Sequence, residues 1–171
     1  MQTLTTARLV LRLASDDDAS FIQTLYNTPD FLRYIGDKQI RSVEDARRYI
    51  ADKILAMREE YGVCLLVVED RQSKAPLGVC GLIKRPDLPA YDIGYGYLPS
   101  THRQGIGYEA GQAMMEYARR RADIEQVVAI TSSDNLASQA LLVKLGFTYI
   151  KVQSQLSDTL DLLLYQQDTY V

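Results

Sequence analysis

The stretch YDIGYGYLPSTHRQGIGYEA, Tyr91 to Ala110, limits the possible folds most sharply. It begins as a strand pattern with glycines at alternate positions, Gly94 and Gly96, and Pro99 stops it. A polar turn follows, with Gly105 and Gly107 inside it. Then Ala110, Gly111, Met114, Met115 and Ala118 recur at helical spacing, predicting a helix from about Gly107 to Arg121. A strand that runs through bare backbone into a helix start is suited to an anion. The first turn of a helix offers unpaired N–H groups and the positive end of the dipole. A glycine-rich turn adds a concavity of amides, and Arg103 and Gln104 add donors, which together suit a pyrophosphate. Two other readings stay open. The turn can be purely structural. Gly105, Gly107 and Gly111 also fit a dinucleotide fingerprint, but that motif belongs directly after a first parallel strand. Here it follows three hairpin-linked strands, past the middle of the chain.

The rest of the chain supplies a mixed sheet. Leu9 to Leu13 predicts a first strand. Ser15, followed by Asp16 to Asp18, predicts a helix start, with Phe21, Ile22 and Leu25 on one face and a stop before Pro29. The segment DFLRYIGDKQI reads as irregular. Ser42 predicts the cap of a longer helix carrying Val43, Ala46, Ile50, Ile54 and Met57, with Gly62 at its end. The strands VCLLVVE and LGVCGLI are joined by the hairpin loop DRQSKAP, and YDIGYGYL is the fourth strand. VVAIT is apolar throughout, as a strand buried on both faces would be. A loop and helix, SSDNLASQALLVKLG, precede two final strands, FTYIKVQSQL and TLDLLLYQ. The order is β-α-α-β-β-β-α-β-α-β-β.

At 171 residues, the chain is expected to form a single domain, residues 1–171, with a substantial core. A net charge of −3 argues against broad nucleic-acid binding. One histidine and two cysteines, Cys64 and Cys80, are too few ligands for a metal site, and both thiols read as buried and reduced. No stretch approaches the roughly 20 apolar residues of a membrane span. The N-terminus has no apolar signal-peptide region, which points to a cytoplasmic protein.

On these elements the chain resembles the GNAT superfamily of acetyl-CoA-dependent N-acetyltransferases. The family's Gln/Arg-x-x-Gly-x-Gly/Ala loop matches His102 to Gly107, and its preceding strand and proline match Tyr95 to Pro99. Its later helix matches Asn135, Ser138, Lys144, Gly146 and Phe147. The start TARLVLRLASDDDA looks like the branch containing the ribosomal-protein N-terminal alanine and serine acetyltransferases. The agreement runs from about Thr6 to Gln166.

The resemblance implies an α/β GNAT fold: a mostly antiparallel mixed sheet of six to seven strands, splayed between the fourth and fifth, with about four helices. It implies acetyl-CoA as co-substrate and no metal. It also implies that amides of His102, Arg103, Gln104, Gly105, Ile106, Gly107 and Tyr108 hold the pyrophosphate. Tyr97 would pair its backbone with the pantetheine arm, and Asn135 would hydrogen-bond it. His102 stands where Gln or Arg is usual, and a solvated loop histidine is the plainer reading. Leu142 stands where many members carry a tyrosine that protonates the leaving thiolate.

Acetyl transfer needs a neutral amine, a stabilised oxyanion and an accepted thiolate. A peptide α-amine, with a pKa near 8 against about 10.4 for lysine, needs only modest help. Asp92 is the candidate base, on the same strand face as Gly94 and Gly96, and an ordinary polar strand position is the alternative. Ser138 is the candidate relay to the thiolate, with a helix-surface serine as the alternative. Tyr91, Tyr95 and Tyr149 are other possible acids. The acceptor cleft would be rimmed by segments carrying Asp30, Asp37, Asp87, Asp158 and Asp161. The acceptor is expected to be a protein N-terminal α-amine or a small-molecule amine such as a polyamine. The expected state is monomer or homodimer. The competing function is an acyl-CoA-binding module without turnover.

Overall fold

The computed structural model describes residues 2–155 and 160–170. Asp158, one of the expected rim acids, lies outside them. The described strands form one sheet: β1 (Leu4–Thr5), β2 (Leu9–Arg12), β3 (Leu65–Asp70), β4 (Pro76–Ile83), β5 (Tyr91–Tyr97), β6 (Gln126–Ser132), β7 (Thr148–Gln155) and β8 (Asp161–Asp168). Their order across the sheet is β1-β2-β3-β4-β5-β6-β8-β7. Every neighbouring pair is antiparallel except β5 and β6, which run parallel. The fold is the expected mixed α/β arrangement, with eight strands rather than six or seven. The addition is β1, two residues long and too short to show a period in the sequence.

Among the described residues, five helices pack on this sheet. They are α1 (Ala19–Tyr26), α2 (Pro29–Tyr34), α3 (residues 43–61), α4 (Ile106–Arg119) and α5 (Leu136–Lys144). α3 is one continuous helix, π-wound over Ile50–Leu55 and α-wound on either side. Its start is the expected one. The Ser42 hydroxyl accepts from the Asp45 N–H at 3.1 Å, and the Asp45 carboxylate accepts from the Ser42 N–H at 2.9 Å. Gly62 closes the helix in the left-handed conformation. α2 is the fifth helix, in a segment expected to be irregular. Thr28 precedes Pro29 at its first position, an arrangement that favours a helix start.

The register puts Leu9, Leu11, Leu66, Val68 and Leu82 on one face of the sheet. That face is covered by α4, whose Ala110, Met114, Met115 and Ala118 are all buried. Large side chains buried this fully contribute about 1.5–3 kcal/mol each. The opposite face of β5 carries α2, and Tyr26 of α1 stacks on Phe31 of α2 at 4.0 Å. Tyr49 of α3 meets Tyr26 edge-on at 5.1 Å.

Arg12 ties the two ends of this arrangement together. Its guanidinium donates to both carboxylate oxygens of Asp18 at 2.9 Å, and its Nε donates to Glu69 at 2.7 Å. Asp18 and Glu69 are both buried. Burial pushes the Asp18 carboxyl up, but Arg12 and Ser15 outweigh it and leave it below the ordinary range. No described helix is long and apolar enough to cross a membrane.

Candidate active site

The two parallel strands touch only at their beginnings. β5 pairs with β6 at Tyr91↔Val127 and Asp92↔Val128, and nowhere beyond. From there β5 continues against β4 as far as Gly78↔Tyr97, while β6 continues against β8 as far as Ser132↔Leu162. The sheet therefore opens into a V with Asp92 at its vertex. Two strand edges face each other across the gap without a shared ladder. This is the splay expected between the fourth and fifth strands of the sequence pattern. An extended chain entering the gap could satisfy those edges, since unpaired backbone groups need partners.

Alternation along β5 divides the site between the two sheet faces. Tyr95 and Tyr97 point to the face of α4 and α5. The Tyr95 hydroxyl lies 2.8 Å from the Ser138 hydroxyl on the first turn of α5. Burial pushes the Tyr95 phenol well above its ordinary pKa. At pH 7 it is thus a hydrogen-bond donor and not a phenolate. The Tyr97 ring packs where a side chain on Gly107 would begin: a Cβ there would lie 3.2 Å from both Tyr97 and Leu141. Glycine at 107 lets the start of α4 settle directly on the β5 arm. Of the three tyrosines considered as acids, only Tyr95 meets Ser138. Tyr91 lies under the Lys84 ammonium, and Tyr149 stands half-exposed on β7 against Tyr165. Leu142 is fully buried in the core, so its position faces packing and not the opening.

Asp92, Gly94 and Gly96 point to the other face, as the strand period predicts. Gly96 lies under Phe31 and Ile35 of α2. The Asp92 side chain is 1% exposed, and its only ion-pair partner among the described residues is Arg85, at 3.3 Å from Oδ2. Oδ1 is buried with no hydrogen-bond partner. Burial pushes the carboxyl up from its ordinary 3.8 to about 6, while Arg85 pulls the other way. A carboxylate that ionises near pH 6 and holds a free acceptor oxygen is suited to accept a proton at neutral pH.

The glycine turn has the form the sequence predicts. Pro99–Thr101 makes one 3-10 turn, Arg103 and Gly105 take positive φ, and α4 starts at Ile106. Gly105 at φ +76° is in the left-handed region that only glycine adopts without strain. The first intrahelical bond runs from the Glu109 N–H to the Gly105 carbonyl at 3.0 Å. The amides of Ile106, Gly107 and Tyr108 precede it and face the end of the helix. His102 and Arg103 are exposed, and Gln104 donates to the Ser100 carbonyl at 2.8 Å. Sequence reasoning did not foresee what holds this turn in place. Glu109 accepts from Thr6 at 2.6 Å, from the Arg8 N–H at 2.8 Å and from Arg8 Nε at 2.7 Å. Arg8 also donates to the Gln104 carbonyl at 3.0 Å. The N-terminal hairpin thus clamps the first turn of α4.

Across the opening, the Asn135 side chain caps α5 by accepting from the Ser138 N–H at 3.1 Å. Asp134 beside it pairs with Arg33 of α2 at 2.8 Å, joining the β6 arm to the helix that covers the β5 arm. Among the expected rim acids, Asp37 is engaged through its carboxylate, which Arg41 holds, and Asp161 through its backbone, whose N–H donates to Ser133. Among the described residues no three His, Cys, Asp or Glu side chains gather as a metal ion would need.

Comparison with known proteins places the chain in a family. Residues 8–148 match the acetyltransferase (GNAT) domain, so the chain belongs to the GNAT acetyltransferases. Two similar proteins of Bacillus subtilis are the uncharacterized N-acetyltransferase YoaA, 30% identical over 84% of this chain and 81% of its own length, and the uncharacterized protein YkkB, 28% identical over 86% of each. Among solved structures, the ribosomal-protein alpha-N-acetyltransferase RimL in complex with coenzyme A superposes with a TM-score of 0.83 over 97% of both chains, at 23% identity. A ribosomal-protein alanine acetyltransferase of Vibrio fischeri gives 0.81 over 98% of this chain and 96% of its own, at 16% identity.

Proposed function

We propose that this acetyltransferase moves the acetyl group of acetyl-CoA directly onto a primary amine, with the β5–β6 opening holding the reacting groups. One observation carries the reading. At the vertex of the V a buried carboxylate with a free oxygen faces one side of the sheet, and farther along β5 a paired hydroxyl system faces the other. The residues fit coenzyme A. The free amides of Ile106, Gly107 and Tyr108, with the His102 to Gly105 turn before them, form a concave anion site at a helix start. Tyr97 and the rest of the β5 edge offer an unpaired backbone ladder to the pantetheine amides. Asn135 flanks the opposite arm.

In this arrangement the amine enters from the Asp92 side. Asp92 Oδ1 takes its proton, directly or through water, as the nitrogen attacks the thioester carbonyl. A backbone N–H of the β5 edge holds the oxyanion of the tetrahedral intermediate. Collapse breaks the carbon–sulfur bond, and the Ser138 hydroxyl, supported by Tyr95, donates to the departing thiolate. No covalent acetyl-enzyme is needed. Cys64 and Cys80 are buried, with thiol pKa values pushed up by burial to about 11 and about 12.

The acceptor is a protein N-terminal α-amine by this reading. RimL and the alanine acetyltransferase, which share the fold, act on ribosomal proteins. An α-amine also needs no base stronger than Asp92. A small-molecule amine or polyamine is the second class to test. The chain acts as one domain over residues 1–171, in the cytoplasm. Calorimetric titration with acetyl-CoA, followed by thiol-release assays on Ala- and Ser-starting peptides and on polyamines, tests the proposal. Saturable binding and release of coenzyme A with a peptide amine is the expected result. Absence of acetyl-CoA binding at millimolar concentration refutes it.

A further inference from the structure

Asp92 is held from one side only. Arg85 Nε stands 3.3 Å from Oδ2, whereas Oδ1 is buried and unpaired. Arg85 belongs to the β4–β5 connection, and its carbonyl accepts from the Leu88 N–H at 3.3 Å, which fixes the turn. Its side chain is 39% exposed. The guanidinium therefore reaches inward with Nε while part of it stays in water. Other charged groups act at longer range. Asp87 of the same connection adds a like charge to Asp92. Lys38, after α2, and Tyr49 of α3 interact electrostatically with Arg85. Val128, paired with Asp92 on β6, packs with Leu88, Leu164, Ala90 and Ile130 in an apolar cluster. Arg85 is thus the one cation in ion-pair distance of the carboxylate among the described residues.

We propose that Arg85 is a positioning residue for Asp92: it fixes Oδ2, leaves Oδ1 as the free proton acceptor, and keeps the carboxylate ionised in the pH range where the amine is acetylated. This rests on Asp92 being the base. Removing the guanidinium takes away an attraction to the charged form, and the carboxylate then ionises at higher pH. Arg85 touches neither reacting atom, so its loss shifts the pH range of activity by more than it lowers the limiting rate at high pH.

The test compares kcat/KM between about pH 5 and pH 9 for the wild type, Arg85→Ala, Arg85→Lys and Asp92→Asn. The Asp92 carboxyl is also titrated by carbon NMR in the wild type and Arg85→Ala, without acetyl-CoA. For Arg85→Ala the acid limb is expected to move up by about one pH unit, the low end for an opposite charge at this distance. Relative to the wild type, activity then falls about tenfold near pH ~5 and about twofold at pH ~7, and the difference is smallest above pH ~8.5. Arg85→Lys restores about half of the displacement, and the NMR titration shows the same shift without turnover. Equal loss at every pH, no rescue by lysine, or an unmoved carboxyl titration overturns the proposal. An inactive Asp92→Asn beside an unmoved Arg85→Ala limb sinks Arg85 alone. A fully active Asp92→Asn removes the base itself, and Arg85 with it.

Discussion

Replacing Asp92 with asparagine should make the protein less active and, as pH rises, relatively more stable. Burial raises the folded-state pKa of Asp92 from 3.8 to about 6. Folded Asp92 therefore holds its proton more tightly than it does in the unfolded chain. Below about pH 4 both states are protonated and the carboxyl adds no penalty. Between about pH 4 and pH 6 the unfolded chain ionises freely while the folded protein must ionise a buried group, so wild-type stability declines. The gap from 3.8 to about 6, at 1.36 kcal/mol per unit, gives a loss of up to about 3 kcal/mol. The Asp92→Asn variant lacks this titration. Its own cost, a buried amide facing Arg85, is independent of pH and drops out of the comparison. The stability difference, variant minus wild type, should thus rise by up to about 3 kcal/mol between pH 4 and pH 7.5, which is about 6–12 °C in Tm for a chain of this size. Urea unfolding of both proteins at five or six pH values measures it, and kcat/KM is followed in parallel. A difference that stays flat across this range refutes the reasoning, because Asp92 would then ionise as an ordinary carboxyl does.

Three further outcomes are expected. Arg12→Ala leaves Asp18 and Glu69 buried without their shared cation, and should cost about 3–5 kcal/mol in urea unfolding near pH 7. Gly105→Ala forces a side chain into the left-handed region at φ +76°, which should cost about 1–2 kcal/mol and weaken acetyl-CoA binding in calorimetry. Tyr95→Phe removes the partner of the Ser138 hydroxyl. It should lower kcat by roughly five- to thirty-fold, the worth of one hydrogen bond of about 1–2 kcal/mol, with acetyl-CoA affinity unchanged.

Much of this architecture was legible because its signals are local. Alternation alone puts Asp92, Gly94 and Gly96 on one face, and Ser42 marks the start of α3. The glycine turn was legible for a related reason: a positive φ at Gly105 and a close approach at Gly107 each demand the residue itself. β1 was not legible, since two residues have no period. α2 was missed although its signal was present in Thr28 followed by Pro29, because a helix of six residues is too short to show a helical period. Arg85 left no local trace at all. In sequence it is one basic residue in a turn before a proline, and only the pairing of β4 with β5 brings it to Asp92.

The same distinction bears on the acid side of the proposed chemistry. A tyrosine at 142 is a one-position signal, and its replacement by leucine suggested that the proton donor was missing. In three dimensions, position 142 belongs to the buried face of α5, and Ser138, the candidate relay four residues earlier on the helix, meets the Tyr95 hydroxyl from β5. The two arms of the V thus meet through a hydrogen bond on one face and an ion pair, Arg33 to Asp134, on the other. A gap tied from both faces is suited to receive an extended chain. A buried Tyr95 phenol cannot readily surrender its proton, so its role is to orient Ser138. That is why loss of Tyr95 should lower the rate only modestly, whereas loss of Asp92, the proposed base, should be severe.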